Sequence, residues 1–220
     1  MGFLGFDAQA RAPRVGELVY GYNSSTDRHL VGTVRNIYGD QAEVSWLRRD
    51  GMAFFSARSY WRLSSLSVEV LCSGEVCLGR TVHVPSSSGG VNYVGAVQHV
   101  FENGKTEVYW DSANGAPTNY PNDNYHDATS LSYRVTCLGE LCEGDQVHFS
   151  HRRPGRTSDT NYVGTIDRLY TGGRIDHGAE GQGVAEITYE REDGVAVDYN
   201  AAGYWHTSRL HERTAGDGRK

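Results

Sequence analysis

Gly16-Glu17-Leu18-Val19, Gly79-Arg80-Thr81-Val82 and Gly144-Asp145-Gln146-Val147 are three copies of one opening, and aligning them brings most of the chain into register. Each copy next reaches a Val-Gly step: Val31-Gly32-Thr33-Val34, Val94-Gly95-Ala96-Val97 and Val163-Gly164-Thr165-Ile166. An acidic-aliphatic-x-aromatic segment follows, as Glu43-Val44-Ser45-Trp46, Glu107-Val108-Tyr109-Trp110 and Glu186-Ile187-Thr188-Tyr189. A glycine stands after it at 51, 115 and 194, and each copy closes on Tyr60 with Leu66, Tyr125 with Leu131, or Tyr204 with Leu210. Self-similarity at a fixed period decides architecture before any other signal.

The openings lie 63 and 65 residues apart, longer than solenoid repeats. Each copy is near the smallest size that holds its own core. The expectation is three small domains in tandem, at 15–72, 73–137 and 138–213. A flexible segment at 1–14 precedes them, a hairpin insertion at 172–183 interrupts the third, and a disordered tail at 214–220 follows.

The 220 residues include 27 Gly and 14 Tyr, and no apolar run is long enough for a membrane helix. Gly and Tyr among short apolar runs suit bent strands and many turns, and amphipathic helical periodicity is nearly absent. The formal net charge is −6, concentrated toward the third copy. That distribution argues against a nucleic-acid partner, which needs clustered basic side chains facing phosphates.

Four cysteines form Cys72-x4-Cys77 and Cys137-x4-Cys142, both at the joint between one copy and the next. The even count and local spacing favour two disulfides, each pinning one joint. A zinc site of four thiolates and a Cys77–Cys137 bridge are the competing arrangements. Disulfides would place the chain in the periplasm or outside the cell, reduced cysteines in the cytoplasm. Met1-Gly2-Phe3-Leu4-Gly5-Phe6 has neither the apolar length nor the basic start of a signal peptide.

In the first copy, strands are expected at Leu18–Tyr22, Leu30–Tyr38, Gln41–Leu47, Ala53–Ser56 and Ser67–Leu71. Tight turns join the second and third, and Asn103-Gly104 predicts a type I′ hairpin in the second copy. Tyr60 to Leu66 reads as irregular chain with one turn of 3₁₀ helix. Such elements make an SH3-like small barrel, so the fold class is all-β with three tandem SH3-like barrels of about 60–70 residues each. The copies resemble the superfamily that includes Tudor, Agenet and Mib–Herc2 domains, through Gly-x-x-Val, the Val-Gly step and Val-x-Trp before a glycine. Val108-Tyr109-Trp110-Asp111 with Asn119-Tyr120 is most similar to the Mib–Herc2 pattern. The resemblance implies binding of peptides, modified side chains or nucleic acid rather than catalysis.

Val44 and Trp46 lie two apart and share one strand face, as do Val108 with Trp110 and Ile187 with Tyr189. Core packing is one use of these rings; a ligand shelf at the barrel rim is the other. Tyr60, Tyr125 and Tyr204 keep a fixed distance from the closing Leu and read as structural. Trp61 and Trp205 follow them, with His126 in the second copy, and a position that changes from Trp to His reads as contact. Tyr22 and Tyr38 with Trp61 are candidate walls of an aromatic pocket. Asn119 to Asp127 could form a glycan or calcium site or an Asn/Asp turn cluster. His83 and His148 share the repeat position of Tyr20, which points to packing.

The expected function is a non-enzymatic adaptor for a peptide, cell-wall fragment or glycan, held by Tyr22, Tyr38, Trp46, Trp61, Trp110, His126 and Trp205. No cofactor, metal or membrane span is expected, and the chain is expected to be a monomer. A cytosolic Tudor-like reader of modified tails and an enzyme or hydrolase accessory subunit are the rivals.

Overall fold

The computed structural model describes residues 11–54, 58–85, 90–118, 125–152, 157–173, 183–199 and 203–212. Parts of the first two strand-joining loops that follow the second and third openings, most of the insertion, both chain ends and Asn119–Asn124 lie outside them. The chain is all-β: antiparallel strands joined by tight turns, with 3₁₀ turns at Leu63–Ser65, Ala128–Ser130 and Thr207–Arg209. The chain divides into two compact units. The first comprises 1–78, 97–109 and 121–128; the second comprises 79–96, 110–120 and 129–220. The second repeat thus contributes segments to both.

In the first unit, Leu18–Asn23 pairs with Arg28–Tyr38, which pairs with Gln41–Arg49, which pairs in turn with Ser59–Arg62. Leu66–Val70 returns to the opening strand with Val19 opposite Val68. Strand Ser59–Arg62 stands where irregular chain was expected, and the 3₁₀ turn falls within the expected stretch. Alternate residues of these strands fill a core of Val19, Leu30, Val34, Ala42, Val44, Trp46, Leu66 and Val68. In the second unit, Gln146–His151, Thr160–Thr171, Val184–Glu192 and Gly203–His206 repeat the same order. Their core includes Val147, Phe149, Tyr162, Ile166, Ile187 and Leu210.

The repeated glycines have two physical reasons. At the Val-Gly step, a Cβ on Gly32 would stand 2.6 Å from the Ser45 carbonyl oxygen, and one on Gly164 2.5 Å from that of Thr188. The strands cross there too closely for a side chain. After the third strand, Asp50-Gly51, Asn114-Gly115 and Asp193-Gly194 all have positive φ at both residues, the geometry of a type I′ hairpin. The acidic or amide side chain then accepts a backbone N–H across the sheet. Asp50 Oδ1 takes that of His29 at 2.9 Å, Asn114 Oδ1 that of Asn92 at 2.8 Å, and Asp193 Oδ1 that of Asn161 at 2.9 Å.

The Asn103-Gly104 turn differs from expectation. Only Gly104 has positive φ, and its N–H donates to the Phe101 carbonyl at 2.8 Å. The extra residue, Glu102, makes a three-residue loop with a glycine bulge instead of a type I′ turn.

The cysteines pair as Cys72–Cys77 and Cys137–Cys142, each closing a short hairpin. No cysteine is left free, so the four-thiolate zinc site and the Cys77–Cys137 bridge both fall away. The disulfides fit an oxidising compartment. No helix among the described residues is long and apolar enough to cross a membrane.

Candidate functional site

Glycine at position 21 shapes an open concavity of the first repeat. A Cβ there would come within 2.9 Å of Trp46 and 3.2 Å of Trp61. Because none is present, the two indoles meet edge-on over the backbone, with ring centroids 5.0 Å apart. Both indole N–H groups donate to Ser59 Oγ, at 2.7 Å from Trp46 and 2.9 Å from Trp61. With their polar atoms satisfied, the rings offer mainly apolar surface.

These indoles, Phe54 and Leu30 form the apolar part of an open groove of about 620 Å³, completed by Asn23, Thr26, Arg28, Arg49 and Ser59. The Arg49 guanidinium lies 4.4 Å from the centre of the Phe54 ring, an arrangement that holds a cation over an aromatic face. Arg28 is anchored to Asp50 at 2.8 Å. The groove therefore combines an aromatic floor with two guanidinium side chains at its rim.

Of the expected contact residues, Trp46 and Trp61 come together here. Trp46 is buried and shows only its edge, so it is core and groove wall at once. Tyr22 and Tyr38 are not part of this groove. Tyr22 donates to Asp27 at 2.6 Å, and that bond raises its pKa. Tyr38 instead packs beside Tyr60, with ring centroids 6.1 Å apart. Trp110 is buried against Tyr93. His126 is half-buried and its carbonyl accepts the Thr106 hydroxyl at 3.0 Å.

Trp205 occupies the position of Trp61 in a different setting. Phe149 stands where the first repeat has Gly21 and packs 4.6 Å from the Trp205 ring. Trp205 Nε1 donates to the Tyr189 hydroxyl at 2.7 Å. The aromatic floor of the first repeat is filled solid in the third.

Arg28, Arg49 and Phe54 were not singled out from sequence. Their signal was position: all three flank the strand ends that bracket Trp46. Of the Asn119–Asp127 cluster, 119–124 lie outside the described residues. No group of three or more His, Cys, Asp or Glu side chains among the described residues is arranged to hold a metal ion. No protein-family model matches this chain, and no curated protein does.

Proposed function

We propose that the chain is a non-enzymatic binding protein built from three SH3-like modules, and that its first repeat holds a carboxylate-bearing peptide, cell-wall or glycan fragment. The observation that carries this is the groove of Trp46, Trp61 and Phe54 rimmed by Arg28 and Arg49. An apolar side chain or sugar face would lie on the indoles, and the acid group would meet the arginines. The titratable side chains lining the groove are arginines, which act as neither base nor nucleophile at ordinary pH. Two cationic rim residues also disfavour the methylated-lysine ligand of a Tudor-like reader. The disulfides favour a setting outside the cytosol, periplasmic or secreted, where peptide, wall and glycan ligands are met.

The test is a tryptophan-fluorescence titration with acidic and amidated versions of aromatic peptides and with acidic and neutral oligosaccharides. The acidic versions should bind, and Arg49→Gln and Trp61→Ala should each weaken binding about tenfold while the near-ultraviolet circular dichroism persists. Equal binding of acidic and amidated ligands would overturn the assignment of the arginines. Loss of the folded state in Trp61→Ala would return that ring to the core, and Gly21→Val, which fills the groove, then decides the matter.

A further inference from the structure

Two of the repeat positions that look structural in sequence form a docking joint used twice within the chain. In the first unit, Tyr20 packs against Phe101 and Tyr125 of the next repeat, with centroids 5.3 and 5.8 Å away, and His29 stacks on Tyr125 at 4.8 Å. Arg48 binds Glu107 at 2.6 Å, and the Tyr125 hydroxyl donates to the same carboxylate at 3.1 Å. Val100 and Phe101 pair as a strand with Val70 and Glu69. In the second unit the same positions meet again. His83 stands where Tyr20 does, and its ring lies 5.1 Å from Tyr170 and 5.5 Å from Tyr204. Leu169 and Tyr170 pair with Val135 and Arg134, the same register one repeat later. Each joint sets an aromatic pair of one repeat against the opening-strand face of the repeat before it; the first adds the Arg48–Glu107 pair, whereas in the second Ser112 stands at the place of Arg48 and Glu186 bonds Arg168 and Tyr170 of its own repeat.

Each joint therefore has a plug and a socket, and one of each has no partner repeat against it among the described residues. The plug of the first repeat is Tyr38 and Tyr60, backed by Glu43, which is buried and meets Asn36 and Arg58. Tyr38 is 57% and Tyr60 61% exposed, whereas Phe101, Tyr170 and Tyr125 are at most 7% exposed. The edge of strand Arg28–Tyr38 beside Ile37 and Tyr38, which Phe101 and Tyr170 use for pairing, has no strand partner among the described residues. The socket of the third repeat centres on His148, which is exposed where Tyr20 and His83 are at most 4% exposed. It opens into a concavity of about 480 Å³ lined by His148, Phe149, Ser150, Asn161, Arg209 and His211. His148 with Asn161 reproduces the His83–Asn92 pair of the second socket, bonded there at 3.0 Å. Arg191 stands at the repeat position of Arg48, the residue that binds the incoming glutamate in the first joint, and it is exposed.

We propose that the first-repeat plug of one chain docks into the third-repeat socket of a second copy, head to tail. Tyr60 and Tyr38 take the places of Tyr125 and Phe101 on His148 and Asn161, Glu43 faces Arg191, and strand Arg28–Tyr38 extends the partner's sheet. The two faces differ, so the contact is heterologous and adds chains without closing at a dimer. Tyr60 and Trp61 alternate along one strand and face opposite ways, so this contact does not depend on the aromatic groove.

The experiment is sedimentation velocity on the full chain from about 1 μM to about 1 mM, the range of weak specific contacts. The mean mass of the wild type should rise with concentration past that of a dimer. Tyr60→Asp, lacking the plug, and His148→Asp, lacking the socket, should each stay monomeric. Their equimolar mixture should form a dimer and stop, because it holds one intact plug and one intact socket. Arg191→Glu should weaken wild-type assembly about tenfold. A wild type that stays monomeric throughout, or a single variant that dimerises with itself, would overturn the proposal. Should Tyr60→Asp lose its near-ultraviolet dichroism, Tyr38→Ser removes the plug by a second route.

Discussion

The first and third repeats place a tryptophan at the same position and use it in opposite ways. Trp61 borders an open groove, while Trp205 is packed against Phe149 and hydrogen-bonded to Tyr189. The difference follows three exchanges, Gly21 for Phe149, Trp46 for Tyr189 and Ser59 for Gly203, of which the first changes the volume most. A phenylalanine there contributes core surface, and its ring takes up the volume that the first repeat leaves to solvent. Duplicated modules can thus diverge by exchanging a few side chains, one copy filling its core and the other leaving an open groove.

The largest effect should come from reversing the first of these exchanges. Phe149→Ala removes a buried ring that also touches Tyr162 and Tyr189, and should destabilise the protein by about 4 kcal/mol through lost burial and a residual cavity. Urea denaturation of the variant and the wild type measures it. A cost under about 1 kcal/mol would mean that the surrounding rings collapse into the space, and the two repeats would differ less than they look. The converse change, Gly21→Val, should leave folding measurable and close the groove to ligand.

A second contrast lies at the joints, where the first socket uses Tyr20 and the second His83. Burial lowers the His83 pKa from 6.5 to about 4, against the opposing effect of its bond to Asn92. Between those pH values the unfolded chain carries the proton and the folded chain does not. Stability should therefore rise with pH across this window, with a loss of about 3 kcal/mol expected from this histidine on acidification from pH 7 to pH 4. His83→Tyr, which copies the first socket, should flatten that part of the profile in thermal melts at matched ionic strength. An unchanged slope between about pH 5 and pH 6.5 would overturn this role of His83, because carboxylates such as Glu17 and Glu143, whose pKa values are lowered from 4.5 by their bonds to Arg11 and Arg134, lose their contribution only below that range.

Much of the fold was legible because it is written three times. The all-β class, most strand positions in the first copy, the 3₁₀ turn and both disulfides follow from spacing that a single copy would have left ambiguous. Tyr60 shows where such reasoning stops. It shares its sequence position with Tyr125, yet one is exposed and the other buried. The difference lies in Tyr20 and His29, which cover Tyr125, and no local pattern records which copy has a neighbour on that side. The groove was half legible. Trp61 stood out as variable between copies, whereas Arg28, Arg49 and Phe54 acquire meaning only when three strand ends converge. Tyr22 and Tyr38 stand apart from this groove because Tyr22 adjoins Gly21 and Tyr38 packs on Tyr60, which adjoins Trp61, and adjacent residues of a strand face opposite ways.

The smallest effect should separate the two disulfide joints. Each bond closes a loop of similar length, so removing either by paired Cys→Ser substitution should cost roughly 2 kcal/mol through the unfolded chain. Their folded surroundings differ. At the second joint Arg134 holds Glu143 through two bonds of 2.7 Å, and Leu138 and Leu141 pack into the third-repeat core. At the first, Ser73 and Val76 stand at the places of Leu138 and Leu141 and Leu78 at that of Glu143; Val76 is buried, whereas Leu71 and Leu78 are exposed. After reduction, the first hairpin therefore has less to keep it closed. Hydrogen exchange should show the Leu78 N–H, bonded to Leu71 at 2.9 Å, losing protection before the Glu143 N–H, bonded to Thr136 at 2.9 Å. Simultaneous loss would mean that the covalent bond, and not the ion pair or the leucines, sets the stiffness of both joints.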